Sequence, residues 1–530
     1  MRVSAASSRG FELARWGVTF AGFVFLAACA MRPLAAVDGL AIPDDGYICL
    51  EIARNLGSGR GATFAGIATN GFQPLWVLLL APMFALVPRA HPDAYVHVSL
   101  LLGALFASLT FFLLAGWFRD RPRPFAWVVP LGAFWFPSGA VVQNALNAME
   151  TSLALFLVTA ILTALRALDG KALGVLSPRH AIALGVLLGL GVLARMDIGL
   201  LAVALALAWV VDGVRARDPS HLARLALTAG TALAITAPWW VWSQVATGSW
   251  FPVSGRAIRV CSLGTPRAPD LAFHLLMLDR AWLTWRRHYG ASIQWVLAAL
   301  VVASLVISDA RRAWASELRR RTGIAAVLFA LALVAVYVGY FFAPWFFRRY
   351  FFPLQLALAW LFVGAASSLL GALRHRHHAT LASIVLTLAA LGANLSHRLT
   401  RRMLTLDDAR SWSYRNVGLW AARYFPPGTV VGAGQTGALA YYAPSLRVVN
   451  LDGVVSAPAY DAMLRNDLLG YARRRGVRYT LGWRQDSEFF RANSRPADRT
   501  ALRKVFDVPE IRSWGYAWEV CALDPRDNGT

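Results

Sequence analysis

Two carboxylates stand side by side at Asp44 and Asp45, in the stretch PDDGYICLEIARNLGSGRGATF. Acids are scarce in this chain: 29 Asp and Glu against 52 Lys and Arg in 530 residues. A carboxylate can take the proton of an attacking hydroxyl. A guanidinium, with its planar fork of donors, can hold a phosphate as charge develops on it. Groups of these kinds recur at a few places set among apolar sequence. The first stretch continues with Glu51, Arg54, Asn70 and Gln73. NALNAME adds Asn144, Asn147 and Glu150, and ARMDIG adds Arg195 and Asp197. GSWFPVSGRAIR brings Ser254, Arg256 and Arg259, and FFRRYFFP brings Arg348, Arg349 and Tyr350.

Each has a plain structural use as well. Asp44 or Asp45 could cap the amphipathic helix that Ile48, Ile52 and Leu56 mark out after Pro43. Glu150 could cap a helix beginning at Thr151. Arg195 and Asp197 could pair only with each other. Arg348 and Arg349 could snorkel from a helix end. Whether they act together depends on whether the chain brings them to one face.

The chain is 57% hydrophobic and 15% charged. Its apolar blocks run to roughly 15–25 residues, the length that crosses a ~30 Å hydrocarbon layer as a helix. This is the pattern of a polytopic α-helical membrane protein. The net charge of +23 comes almost entirely from Arg, with Lys only at 171 and 504. Many of these Arg lie in short loops between apolar blocks, the usual cytoplasmic bias. No basic stripe interleaved with aromatics suggests nucleic acid. Four scattered cysteines, at 29, 49, 261 and 521, form no CxxC pair and read as small apolar filler. Arg2, Arg9 and Arg15 before the run 16–30 resemble an uncleaved signal anchor, and LAAC at 26–29 is a poor lipoprotein box because the apolar run continues past it.

Candidate crossings are 12–36, 94–118, 125–143, 150–167, 180–194, 197–212, 224–246, 289–308, 323–346, 350–373 and 379–396. Segment 74–90 is short and holds Pro74, Pro82 and Pro88, so it reads as an interfacial helix. Leaving it out gives about eleven crossings and satisfies the positive-inside rule. The Arg-rich loops 119–124, 168–180, 213–223, 309–322 and 374–378 then lie inside. The first outer loop 38–93, the turns at Glu150 and Asp197, the second large outer loop 247–288 and the C-terminal part lie outside. The domains expected are 1–396 in the membrane and 397–530 as a small extracytoplasmic α/β domain, whose strand-length runs are TVVGAG, LRVVNLD and VRYTLG. Gly432, Gly434 and Gly437 spell GxGxxG there, with Asp452 after the next strand. Pro444 stops the following helix after about two turns, too short for a dinucleotide crossover.

Carboxylates at the membrane surface, guanidiniums beside them and a wide apolar scaffold suit transfer of a sugar from a polyprenyl phosphate. The leaving phosphate needs charge stabilisation rather than a strong acid, and the attacking hydroxyl needs one base. A single displacement implies inversion at the anomeric carbon.

PDDGYICLEIARNLGSGRGATF with NGFQPLW resembles the first outer loop of GT-C fold glycosyltransferases. The resemblance is to the group of terminal arabinofuranosyltransferases of actinobacterial cell walls. NALNAMETSLALFL is similar to that group's GMET segment, LARMDIGLL to its Arg-x-Asp segment, GSWFPVSGRAIR to a segment of its second large loop, and RRYFFP to its RY-x-x-P. The likeness spans roughly residues 12–373. Val253 stands where the loop segment has Asn, and Arg259 where it has Lys.

The resemblance implies a GT-C-like bundle, an inner-membrane enzyme with its N-terminus inside, and Asp44 as catalytic base. Asp45 would be its orienting or metal-binding neighbour, and Asp44 and Asp45 would together take any divalent cation such as Mg or Mn. Asn70, Glu150, Arg195, Asp197, Arg256, Arg259, Arg348, Arg349 and Tyr350 are expected to contact substrate. The expected partners are a polyprenyl-phosphate-linked sugar, a glycan, lipid or protein acceptor of the cell envelope, and membrane lipids. A transporter or flippase of lipid-linked glycans, or a non-catalytic glycan-binding relative, would instead scatter these residues.

Overall fold

The computed structural model describes residues 5–88, 90–120, 123–168, 176–263, 269–306, 311, 321–373, 375–405, 413–513 and 516–524. The Arg-rich loops 168–180 and 309–322 fall largely outside these residues.

Among the described residues, seven helices are long and apolar enough to cross a membrane: Arg9–Ala30, Pro92–Gly116, Ile198–Arg215, Pro219–Thr247, Thr322–Phe341, Phe352–Ala372 and Arg376–Leu395. Two bent pairs raise the number to nine, Phe125–Trp135 with Gly139–Ala145 at 65° and Leu271–His288 with Ser292–Val306 at 95°. Two shorter apolar helices, Thr151–Arg166 and Pro178–Ala194, lie at the other expected crossings. The protein is thus a multi-pass helical bundle. The bend in the first pair falls at Pro137 and Ser138, where proline interrupts the hydrogen-bond ladder. The helix Pro74–Leu86 has 13 residues, a length of ~20 Å that cannot span the hydrocarbon layer.

The C-terminal part holds a five-stranded sheet. Its strands follow an earlier two-residue hairpin, β1 (Thr63–Phe64) and β2 (Ile67–Ala68). They are β3 (Val430–Ala433), β4 (Arg447–Asn450), β5 (Tyr479–Trp483), β6 (Leu502–Ser513) and β7 (Tyr516–Leu523). The order is β4-β3-β5-β7-β6. β3 runs parallel to β4 and β5, while β7 is antiparallel to β5 and β6. The three expected strand runs are β3, β4 and β5; the β6–β7 hairpin went unread, because its alternation is broken by charged residues and two register shifts.

The sheet does not stand apart from the bundle. The carboxyl ends of β3 and β4 face the first loop, and the fit there is close. A Cβ on Gly437 would lie 2.2 Å from the Asp44 carbonyl oxygen and 2.7 Å from the Ile48 nitrogen. A Cβ on Gly71, in the Asn70–Gly71 turn, would lie 2.1 Å from the Val454 carbonyl oxygen. Neither backbone can yield without moving a whole element. Gly437→Val should therefore loosen the docking of the C-terminal domain. Limited proteolysis should cleave between the bundle and the sheet about tenfold faster than in wild type; an unchanged rate would show that the contact is dispensable.

Candidate active site

The first-loop helix, Asp44–Gly57, starts behind Pro43 in extended conformation. No side chain caps it, and both aspartates lie in its first turn. Successive residues on an α-helix are about 100° apart. Asp44 and Asp45 therefore face different neighbours.

Asp44 is 3% exposed. Its Oδ2 accepts the Gly437 amide at 2.7 Å and its Oδ1 the Ala438 amide at 2.9 Å. These are the first free amides of the helix Gly437–Tyr442, where a negative charge is favoured. The GxGxxG-like loop thus does receive an acid, the Asp44 carboxyl supplied by the first loop of the same chain. Arg54 grips the other end of that helix, donating to the carbonyls of Tyr441 at 3.0 Å and Ala440 at 3.2 Å. Glu51 pairs with Arg54.

Two further carboxylates tie the same seam. Asp38 accepts from Tyr47 Oη at 2.8 Å, from the Arg415 amide at 2.9 Å and from Ser413 Oγ. Asp93 takes both arms of Arg415, at 3.0 and 2.6 Å, and Tyr442 Oη at 2.9 Å.

Asp45 turns to the bundle. Arg349 Nη1 donates to its Oδ2 at 2.6 Å, and to Met149 Sδ at 3.0 Å. Asp45 remains 24% exposed and Arg349 13%, so the pair is open to a ligand. Arg195 donates to the Arg349 carbonyl at 3.0 Å and pairs with Asp197. Tyr337 Oη donates to Asp197 Oδ2 at 2.6 Å and accepts from Arg195 at 3.3 Å. The Tyr337 ring stacks on Tyr350 at 4.0 Å, and Tyr350 lies beside Arg349 with that guanidinium 5.3 Å from its ring centre. Glu150 is 4% exposed and lies within the electrostatic reach of Arg349 and Arg195, and its Oε2 has no hydrogen-bond partner. Burial pushes its carboxyl up, against the pull of the two guanidiniums. Arg349 itself is held well above its ordinary value: burial opposes the charge, but Asp45, Tyr350 and Glu150 outweigh it.

Asp45, Glu150, Arg195, Asp197, Arg349 and Tyr350, from four separate stretches, thus form one connected network. Glu150 does not cap the helix after it, and Arg195 bonds well beyond Asp197. Other expected site residues lie elsewhere. Asn70 pins the second large loop: its Nδ2 donates to Ser243 Oγ, Ser249 O and Phe251 O at 2.8–3.2 Å, and its Oδ1 accepts the Val253 amide at 3.0 Å. Arg256 donates to Ser249 Oγ at 3.0 Å and lies over Tyr460. Arg259 lies over Tyr340 at 4.3 Å. Arg348 faces Arg287 and His288 on the second loop rather than Asp45.

Asp44 and Asp45 turn to different partners, both oxygens of Asp44 to backbone amides and one oxygen of Asp45 to Arg349. Their donor set does not fit a shared cation. Among the described residues, no group of three or more His, Cys, Asp or Glu is placed to hold a metal. The four cysteines are free. Sequence reasoning passed over Tyr337, a lone hydroxyl in an apolar span. Its only local signal is aromatic clustering, and the helix there widens to a π-turn over Tyr337–Phe341.

Burial raises Asp44 to about 7, outweighing the two amides, with Asp45 and Asp38 adding to the rise. Burial likewise raises Asp38 to about 6. Both groups hold their protons more tightly docked than in an unfolded chain, where carboxyls titrate near ~4. Their contribution to docking is complete below pH ~4 and is lost as pH rises through these values. Cleavage between bundle and sheet should therefore be several-fold faster at pH 8 than at pH 5, and Asp44→Asn should flatten the dependence. A pH-independent rate would contradict this.

Comparison with known proteins gives a fold. A family model described as a domain of unknown function (DUF8728) matches residues 403–520. No curated protein matches the chain. Among solved structures, ArnT from Cupriavidus metallidurans bound to undecaprenyl phosphate superposes with a TM-score of 0.53 at 14% identity, covering 96% of this chain and 98% of that one. The Archaeoglobus fulgidus oligosaccharyltransferase tethered with an acceptor peptide containing the NVT sequon gives 0.50 at 12% identity, over 94% and 74%. The same enzyme in complex with Zn and sulfate gives 0.50 at 14%, over 94% and 73%. The chain has the GT-C membrane glycosyltransferase fold.

Proposed function

We propose that the protein is a glycosyltransferase that moves a sugar from a polyprenyl-phosphate donor to a cell-envelope acceptor on the extracytoplasmic side of the cytoplasmic membrane. The observation that carries this reading is the Asp45–Arg349 pair. A partly open carboxylate and a guanidinium meet at 2.6 Å, on the face where the bundle meets the C-terminal domain. The GT-C fold, and undecaprenyl phosphate bound to ArnT of the same fold, support a lipid-phosphate donor. Exposed aromatic side chains, with Phe251 64%, Trp345 54% and Tyr340 48% exposed, suit an isoprenoid chain and the membrane interface. The sidedness is supported by the Arg-rich loops of the sequence, which the positive-inside rule assigns to the cytoplasm.

In the proposed reaction the acceptor hydroxyl oxygen bonds to the anomeric carbon while the bond from that carbon to the phosphate oxygen breaks. The electron pair leaves on the polyprenyl phosphate, whose charge Arg349 and Arg195 stabilise. The hydroxyl proton passes to Asp45, and the anomeric configuration inverts. The base role thus falls to Asp45 rather than to the expected Asp44, whose two oxygens are occupied by backbone amides. Asp44 fixes the C-terminal domain over the site. Tyr337 and Asp197 hold Arg195 in place.

The test is transfer of labelled sugar from a panel of polyprenyl-phosphate sugars by the purified full-length protein in lipid nanodiscs. Asp45→Asn should lower kcat by about 10²–10⁴-fold. Arg349→Gln should lower both kcat and donor affinity. Asp44→Asn should cost much less at saturating substrate. A 10²–10⁴-fold loss of kcat in Asp44→Asn with full activity in Asp45→Asn would return the base to Asp44, and no transfer from any donor would defeat the enzyme reading.

A further inference from the structure

The network around Arg349 holds more acids than cations. Its guanidiniums are Arg195 and Arg349, and its acids are Asp45, Asp197 and Glu150. The three acids are not held alike. Asp45 accepts from Arg349 at 2.6 Å and stays partly open. Asp197 pairs with Arg195 and accepts from Tyr337 Oη at 2.6 Å. Glu150 is buried, and its Oε2 has no hydrogen-bond partner. Arg349 and Arg195 act on it through space, without a direct ion pair among the described residues. A buried carboxylate with a bare oxygen is the costliest of the three to keep charged.

The groups facing Glu150 come from three elements. Arg349 comes from the short helix Phe347–Tyr350. Arg195 and Asp197 come from the turn between the helices Pro178–Ala194 and Ile198–Ala216. Cys49 comes from the first-loop helix, and burial keeps it a thiol. One contact further out are Asp45 and Tyr350 beside Arg349, and Tyr337 on Arg195. Burial, with Asp197, opposes a charge on Glu150, while Arg349, Arg195 and its own backbone amide favour it. The charged form therefore depends on the two guanidiniums. A phosphodiester arriving at the open Asp45–Arg349 pair brings a further negative charge and draws on the same guanidiniums. After transfer the leaving phosphate carries about two charges. Carboxylates crowded in this way do not all stay ionised, and the proton goes to the one held least. That one is Glu150. A proton on Asp45 instead would remove the base before the acceptor arrived.

We propose that binding of the donor phosphate is coupled to protonation of Glu150, a buried positioning residue that takes up the proton so that Asp45 stays ionised. This rests on the transferase reading for the ligand and deepens it. Glu150 touches neither sugar nor phosphate and acts through Arg349 and Arg195. The proton comes from water, forms an O–H bond on the carboxylate, and returns to water when the phosphate product leaves. Binding that takes up a proton weakens as pH rises. The donor is therefore held more tightly on the acid side, where Glu150 is already neutral.

The test is calorimetry on the full-length protein in lipid nanodiscs, with farnesyl methyl phosphate as the probe. This diester lacks the second phosphate ionisation near pH ~6, so any proton change belongs to the protein. Titrations run from about pH 5 to about pH 8 in buffers of different ionisation enthalpy. Wild type should take up close to one proton per diester bound over part of that range. Its affinity should fall there by up to about tenfold per pH unit. Glu150→Gln, which fixes the neutral form, should bind without proton uptake and lose the dependence, and thermal scans check its folding. Infrared difference spectra test the assignment without a variant. A protonated carboxyl band should appear on binding and shift with ¹³C-labelled Glu but not with ¹³C-labelled Asp, since Glu150 is the one Glu beside Asp45 and Asp197 in the network. No proton uptake by wild type, unchanged uptake in folded Glu150→Gln, or a band that shifts with labelled Asp overturns the proposal. Sugar transfer without a coupled proton leaves the transferase and removes this role of Glu150. Proton-coupled diester binding in a protein that transfers no sugar leaves the role and removes the transferase.

Discussion

The carboxylate of Asp44 lies buried against the amides of Gly437 and Ala438, and the geometry of the rest follows from that contact. A helix turns about 100° per residue. Once Asp44 is fixed to the C-terminal domain, Asp45 must look away from it, toward Arg349. The same contact sets the direction of the whole first-loop helix, because Arg54, three turns further on, reaches the far end of the helix that Asp44 caps. A short helix held by an acid at its amino end and a guanidinium at its carboxyl end is held along its dipole. Gly437 is required because the first-loop backbone approaches to a distance no side chain could share.

Two kinds of acid therefore occupy one seam. Asp38, Asp44 and Asp93 are spent on joining the domains, each with two or more partners in the C-terminal part. Asp45, Asp197 and Glu150 belong to the guanidinium network, and of these Glu150 keeps an oxygen without a hydrogen bond. The joining contacts of Asp44 and the guanidinium contact of Asp45 share one helix turn.

Much of the bundle was legible because its signal is local. Apolar block length and the placement of Arg depend on the bilayer rather than on contacts between helices, so they survive in the sequence. The three prolines of segment 74–90 mark a helix too short to cross. The strand runs at 430, 447 and 479 were visible for the same reason, as short β-branched blocks. The β6–β7 hairpin was not, since its pairing depends on a partner strand and carries register shifts. The polar set at Glu150, Arg195, Asp197, Arg349 and Tyr350 could be nominated from residue type and depth alone. Tyr337 could not, because one hydroxyl among aromatics looks like packing until Asp197 is seen opposite it.

The sequence by itself determined the class of fold and the inventory of acids and guanidiniums set among the apolar blocks, because both are read from each segment separately. It could not assign duties within that inventory. Asp44 and Asp45 are the same residue type in the same turn, and Asn70, Arg256 and Arg259 look as suited to a ligand as Arg349 does. Which carboxylate is buried on amides and which stays open beside a guanidinium depends on elements some 300 to 390 residues away. Only the tertiary structure brings those partners in, and desolvation and hydrogen-bond geometry then decide which acid joins the sheet to the bundle and which is left partly open beside a guanidinium.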